Sequence, residues 1–208
     1  MNENRGEGIK MEKQVIIAIG REFGSGGHVI GKEIAKRLEL PFYDHNLLSQ
    51  IAVENNMDHE ILKQYDEKPR NRLFTRTVAG FGGSPEENVA TLQFDYLLKM
   101  AREGKSFVVV GRCAESKLKK FPGLISVFIL SDYEAKVERI KKLHQISEEE
   151  AKAEIKRGDW KRKSYHNYYC KAKWGDSRNY DLTINSSKLG IEKTIDLLEQ
   201  YIKERMKE

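Results

Sequence analysis

This sequence is short of the residues that would settle its function most simply. It has two cysteines, Cys113 and Cys170, with no Cys-x-x-Cys spacing and no clustered histidines beside them. That excludes a disulfide framework and predicts no protein-bound metal site. A run of about 18 apolar residues, the length a membrane helix needs, is absent, and the opening stretch Met1–Lys10 is too polar for a secretory signal. A soluble cytoplasmic chain is therefore expected, with residues 1–13 as a disordered extension. There is no internal repeat and no low-complexity linker. A length of 208 residues suits one α/β domain over 14–208 and is too short for two ordinary ones. What the chain does have is positive charge: a net +5 and a pI near 9.0 suit anionic partners such as nucleotides or nucleic acid.

The densest signal runs from Ile16 to Lys32. An apolar strand enters Gly20-Arg21-Glu22-Phe23-Gly24-Ser25-Gly26-Gly27-His28 and leaves through the apolar stripe Ile30, Ile34, Ala35 and Leu38 of a helix. Glycines can take positive φ, so successive amides can converge on an anion where a helix begins and its free N–H groups already favour negative charge. Gly24, Ser25, Gly26, Gly27 and His28, with Arg21 before them, are thus candidate phosphate-binding residues. Neither standard nucleotide motif is matched. Val29 stands where a dinucleotide fingerprint needs its third glycine, although Asp44 lies at about the expected 20 residues downstream for a ribose-binding acid. Gly27 and His28 stand where a mononucleotide P-loop has Lys and Ser/Thr.

Strand and helix patterns alternate along the rest of the chain. Pro41–Tyr43, Ser106–Val110, Leu124–Leu130 and Leu182–Ile184 read as strands. Ser84-Pro85-x-Glu87, Ser131-x-x-Glu134 and Ser147-x-x-Glu150 read as capping boxes opening helices. Such an alternation predicts a parallel sheet with helices on both faces and a ligand beyond the carboxyl ends of the strands. Asp44, which is also a candidate helix cap, and Arg112 fall on that rim; Glu115 and Asp44 are candidate ion-pair partners for Arg112. His45, His59, His144 and His166 lack metal spacing and read as surface or cap residues. From Lys156 to Lys173 there are seven Lys or Arg and one acid, Asp159, with Tyr165, Tyr168, Tyr169 and Trp174 interleaved. The stretch reads as a solvated helix face, a single-strand nucleic-acid surface, or a lid. Arg157 and Arg162 are five residues apart and diverge by roughly 140° on a straight helix, so a joint grip on one phosphate needs a bent or mobile segment.

Taken together, Arg21–Gly27, Pro41-Phe42-Tyr43-Asp44, Val110-Gly111-Arg112-Cys113 and Tyr180-Asp181-Leu182-x-Ile184-Asn185 resemble the cytidylate kinase-like family of P-loop nucleoside monophosphate kinases. The resemblance implies a P-loop NTPase-type parallel sheet of about five strands, with an acceptor-binding excursion near 45–85 and a basic helical lid near 147–178. It implies ATP-dependent phosphoryl transfer to a nucleoside monophosphate or related small phosphate acceptor, CMP or dCMP first. Mg2+ is expected through the ATP phosphates rather than through a protein metal site. Gly24 to His28 would cradle the donor; Asp44, Arg112, Cys113 and Asp159 would serve the substrate; Arg157 and Arg162 would act from the lid. Three positions depart from the family pattern: Gly27 at the P-loop lysine, Gln50 at an acceptor-side arginine and Cys113 at an acceptor-side aspartate. Lys32, Arg21 and His28, in that order, are the candidates for the missing cation. A nucleotide-binding regulator without turnover and an RNA-associated protein are the alternatives. No membrane partner is expected, nucleic acid is not the favoured partner, and the oligomeric state is left open.

Overall fold

Alternate residues of the first strand, β1 (Ile16–Arg21), enter two different cores, as they must in a strand covered on both faces. The computed structural model describes residues 13–54, 58–66 and 84–207. Most of the expected extension, and 67–83 of the expected excursion, lie outside them. Ile17 and Ile19 join Val108, Val110, Val127 and Ile129 under α1 (Gly27–Arg37) and α9 (Ile191–Arg205). Ile16 and Ala18 join Phe107 and Val109 under α2 (Leu47–Glu54), α4 (Pro85–Arg102) and α5 (Ala114–Lys117). A short α3 (His59–Gln64) packs beside α2.

Five parallel strands form the sheet in the order β2-β3-β1-β4-β5, with β2 at Phe42–Tyr43, β3 at Phe107–Val110, β4 at Leu124–Leu130 and β5 at Leu182–Asn185. β1 lies between β3 and β4, so the chain leaves it to opposite sides and a crevice opens at its carboxyl end. Asp181 ties β5 to β4 by accepting from Ser126 N and Oγ at 2.7 and 2.8 Å, and Asn185 caps α8 (Ser186–Leu189). The Tyr180–Asn185 motif is accounted for by these framework bonds.

Both Ser84 and Ser147 form full capping boxes, opening α4 and α7 (Glu148–Tyr169). The third expected box does not form. Asp132 is the N-cap of α6 (Tyr133–His144), and its carboxylate engages Asn185 and Lys188 instead of the helix amides. α6 and α7 pack together over Val137, Ile140, Ala151 and Ile155, and Phe23 of the glycine loop inserts among them. α7 is unbroken, so Arg157 and Arg162 diverge as on any straight helix.

Candidate functional site

β1 ends where its chain must turn sharply into α1, and the glycines make that turn. Gly24 and Gly26 have φ of 77° and 82°. Ser25, fully buried, donates its hydroxyl to Glu22 O at 2.8 Å and accepts from Gly27 N, while Ser186 Oγ holds Ser25 O at 2.6 Å. The loop is thereby fixed from behind. The amides of Gly24, Gly26, His28 and Val29 find no acceptor among the described residues, whereas Ser25 N bonds Glu22 O, Gly27 N bonds Ser25 Oγ and Ile30 N opens the helix ladder to Gly26 O. An anion is the partner such a set of donors fits.

Positive side chains close around this loop from three elements. A Cβ on Gly27 would stand 2.6 Å from Arg21 Cβ, so the Arg21 side chain already occupies the space where a side chain at 27 would begin. The Arg21 guanidinium lies against Gly111, leaving no room for a side chain there. From α6, Arg139 donates to Gly24 O at 2.7 Å, and the buried Lys136 bridges Glu22 at 3.1 Å and Asp159 at 2.9 Å. Burial alone would lower the Lys136 pKa; its bonds to Asp159 and Glu22 outweigh that and raise it. From α7, Asp159 accepts from Phe23 N at 2.6 Å, and Arg162 reaches Arg21 O at 3.4 Å with its guanidinium over the Phe23 ring. Gly158 lies so close to that ring that its Cβ would stand 2.5 Å away. Arg157 and Lys32 are exposed, the latter one turn beyond His28 on α1.

A second polar group sits on the β2–β3 side of the rim. His28 Nε2 meets Asp44 Oδ2 at 2.6 Å, His45 Nδ1 approaches the same oxygen at 3.0 Å, and Asn46 N donates to Asp44 Oδ1 at 2.9 Å. Burial raises the Asp44 pKa, but the bonds from Asn46 and His28 prevail and hold it below the usual carboxylate value. Gln50, at the expected arginine position, accepts from Tyr96 Oη at 3.2 Å. Arg112 is not paired with Glu115 or the Asp44 carboxylate. Its side chain, 2% exposed, makes a two-point contact with Asp66 at 2.7 and 2.9 Å and reaches Asp44 O at 3.5 Å. Gln93 Nε2 donates to Asp66 at 3.1 Å. The backbone beneath is strained: Gly111, Arg112 and Cys113 are all left-handed, at φ 79°, 60° and 53°, which costs about 1–2 kcal/mol for each non-glycine residue.

The left-handed turn sends Cys113 away from Arg112, into a buried cluster with Ala90, Phe94, Tyr165 and Cys170. His166 is also buried, bonded through Nε2 to Glu115 at 2.7 Å, which corrects its reading as a surface residue. The two cysteines and this histidine meet although far apart in sequence, so the expectation that no histidine accompanies them also fails.

The structure thus brings Arg21, Gly24–His28, Asp159 and Arg162 together at the loop, and Asp44 and Arg112 beside it, while Arg157, Lys32 and Cys113 lie apart. Lys136, Arg139, Asp66 and Gln93 are additions that sequence reading missed. The first two reach the loop because α6 follows β4, which pairs with β1, so the helix begins beside the loop. Along the outer side of α6 lies a shallow, open surface formed by Ala135, Glu138, Arg139, Lys142 and Leu143, with Arg139 shared between it and the loop. No helix among the described residues is long and apolar enough to cross a membrane.

No curated protein matches the chain. The solved structure of an uncharacterized protein from Eubacterium ventriosum ATCC 27560 is 37% identical, with a TM-score of 0.73 over 91% of this chain and 99% of that one. Shikimate kinases from Bacteroides thetaiotaomicron (17% identity, TM-score 0.54, 91% and 98% covered) and from Acinetobacter baumannii in complex with shikimate (14%, 0.50, 92% and 94%) share the fold. Residues 16–188 match the cytidylate kinase-like family profile. With the parallel sheet, the glycine loop at its switch point and this match over most of the chain, the protein belongs to the cytidylate kinase-like family.

Proposed function

We propose that this protein is a small-molecule kinase that transfers a phosphoryl group from ATP to a nucleoside monophosphate or related small phosphate acceptor, with CMP and dCMP the first to try. The observation that carries the proposal is the open amide cradle of Gly24, Gly26, His28 and Val29 at the start of α1, ringed by cations from β1, α6 and α7. Phosphoryl transfer asks little of a protein beyond position and charge neutralisation, and that is what this loop offers. ATP with Mg2+ would supply the phosphoryl group and an electrophilic metal carried on its phosphates. The loop amides would hold the phosphates, with Arg139 beside them at the mouth of the loop. Arg21 takes the part of the absent P-loop lysine, ahead of Lys32 and His28, because its side chain fills the space beside Gly27. Arg162 would neutralise charge that develops in the transition state, with α7 as the lid; Asp159 serves by pinning that lid to the loop.

On the acceptor side, Arg112 would take an anionic group of the substrate, and Asp44, oriented by His28, would stand beside it. Tyr165 and Tyr169 are packed against Phe94 rather than presented as a stacking platform, which speaks against the RNA-binding alternative.

The test is ADP release from ATP and Mg2+ with CMP, dCMP, UMP, AMP and GMP. Acceptor-dependent ADP formation is expected, with weak discrimination among bases because position 113 faces the buried cluster rather than the rim and so offers no acceptor for an amino group. ATP binding without ADP formation from any acceptor would favour a regulator without turnover.

A further inference from the structure

Beyond the glycine loop, four side chains capable of ligating a metal meet in the interior: Cys113, Glu115, His166 and Cys170. The ligand atoms of Glu115, His166 and Cys170 all lie within 4.8 Å of one another, and all three residues are buried. Cys113 is buried in the same cluster as Cys170, beside these three. Two elements contribute. His166 and Cys170 stand four residues apart at the end of α7, while Cys113 and Glu115 flank the start of α5. The walls are apolar, made by Ala90, Phe94, Tyr165 and Tyr169.

We propose that these residues form a structural site for a thiolate-preferring divalent cation, with zinc as the occupant, held by Cys170 Sγ, His166 Nε2 and Glu115 and completed by Cys113 Sγ. Four ionisable groups inside an apolar cluster are costly unless paired or bound to a metal. Thiolate, imidazole and carboxylate together are a zinc donor set, and four protein ligands with no open position mark a structural site. The histidine is oriented for it. Nδ1 faces Asn167 Oδ1 at 3.4 Å, and Asn167 Oδ1 is itself fixed by Trp174 N at 2.9 Å, which leaves Nε2 for the cation. Zinc would replace the protons on the sulfurs and the one shared by His166 and Glu115. It would open their 2.7 Å contact to about 3.3 Å, the edge of a tetrahedron with bonds near 2.0–2.2 Å. Bound there, the ion would clamp the end of α7 to the turn that carries Arg112.

Cobalt alone, then zinc alone, should be titrated into reduced, chelator-treated full-length protein. One equivalent of Co2+ should give thiolate-to-metal charge-transfer absorption with tetrahedral d–d bands, which zinc then bleaches. Zinc should also raise the thermal midpoint. Cys170→Ser and His166→Gln should each weaken zinc by about 100-fold or more, and Asn167→Ala by about 10-fold. Absence of the thiolate band in the parent protein would overturn the proposal whether or not the variants fold. So would metal binding without that band that His28→Ala abolishes, since His28, Asp44 and His45 form the other group able to hold a cation among the described residues.

Discussion

The glycine loop and the Asp44–Arg112 rim are both lined by charged side chains, but they differ in what those side chains leave open. At the loop, beside the Lys136 bridge to Glu22 and Asp159, side chains bind backbone: Asp159 takes Phe23 N, Arg139 takes Gly24 O and Arg162 takes Arg21 O, while the remaining amides stay open. On the rim, side chains bind one another: Arg112 holds Asp66, and His28 holds Asp44. On the proposed function, a donor anion would enter a prepared site, whereas an acceptor anion would first have to displace a carboxylate from Arg112. The difference places preorganisation on the donor side and exchange on the acceptor side, and the following experiments break or sharpen it.

The largest effect is expected from Arg21→Ala, which removes the cation proposed to stand in for the lysine. It should lower kcat by about 1,000-fold with the fold intact, and Gly27→Lys paired with Arg21→Gly, which also removes the obstructing Cβ, should recover part of the loss. A normal kcat in Arg21→Ala would move the cation to Lys32, His28 or the lid. Arg162→Ala should lower kcat by about 100-fold while ATP affinity, measured by calorimetry, changes little, as for a group acting mainly in the transition state.

Asp66→Asn should sharpen the comparison in the opposite direction. With the competing carboxylate gone, kcat/KM for anionic acceptors should rise by about 10-fold while KM for ATP stays level; a fall would show that Asp66 holds Arg112 in place rather than competing for it. The smallest effect concerns pH. Lys136 has a raised pKa when folded, so its contribution to stability is fully present below the unfolded value of about 10.4 and is lost as pH climbs through the folded one. Urea denaturation should find Lys136→Met less stable than the parent at pH 8, with the gap narrowing above about pH 10.4. A gap independent of pH would assign the loss to packing.

Much of the framework was legible in the sequence because it is written locally. β3 and β4 can be seen without any alternation of apolar and polar residues, since Phe107–Val110 is a continuous apolar run and Leu124–Leu130 is broken only by Ser126. Ser84 and Ser147 announce their helices by spacing alone. The same local rule misread Ser131 and Glu134, because Asp132 between them is drawn to Lys188 and Asn185, more than fifty residues away. The glycine loop was legible for the same reason as the strands. Its surroundings were not: Lys136 and Arg139 look like ordinary cations of an amphipathic helix until β4 is known to lie beside β1. The pairing of Arg112 with Asp66 and the meeting of Cys113 with Cys170 depend on where α3 and α7 end in space, which no spacing in the sequence records.

The crowding between Arg21 and Gly27 bears on how such a site can change over generations. A lysine introduced at 27 while Arg21 is present would force its Cβ to 2.6 Å from that of the arginine, and loss of Arg21 alone removes the charge without replacing it. If Arg21 is the cation of the site, only an exchange that puts glycine at 21 together with lysine at 27 both clears the space and restores the charge. Either step alone would then cost activity, so the two arrangements would not interconvert by single neutral substitutions.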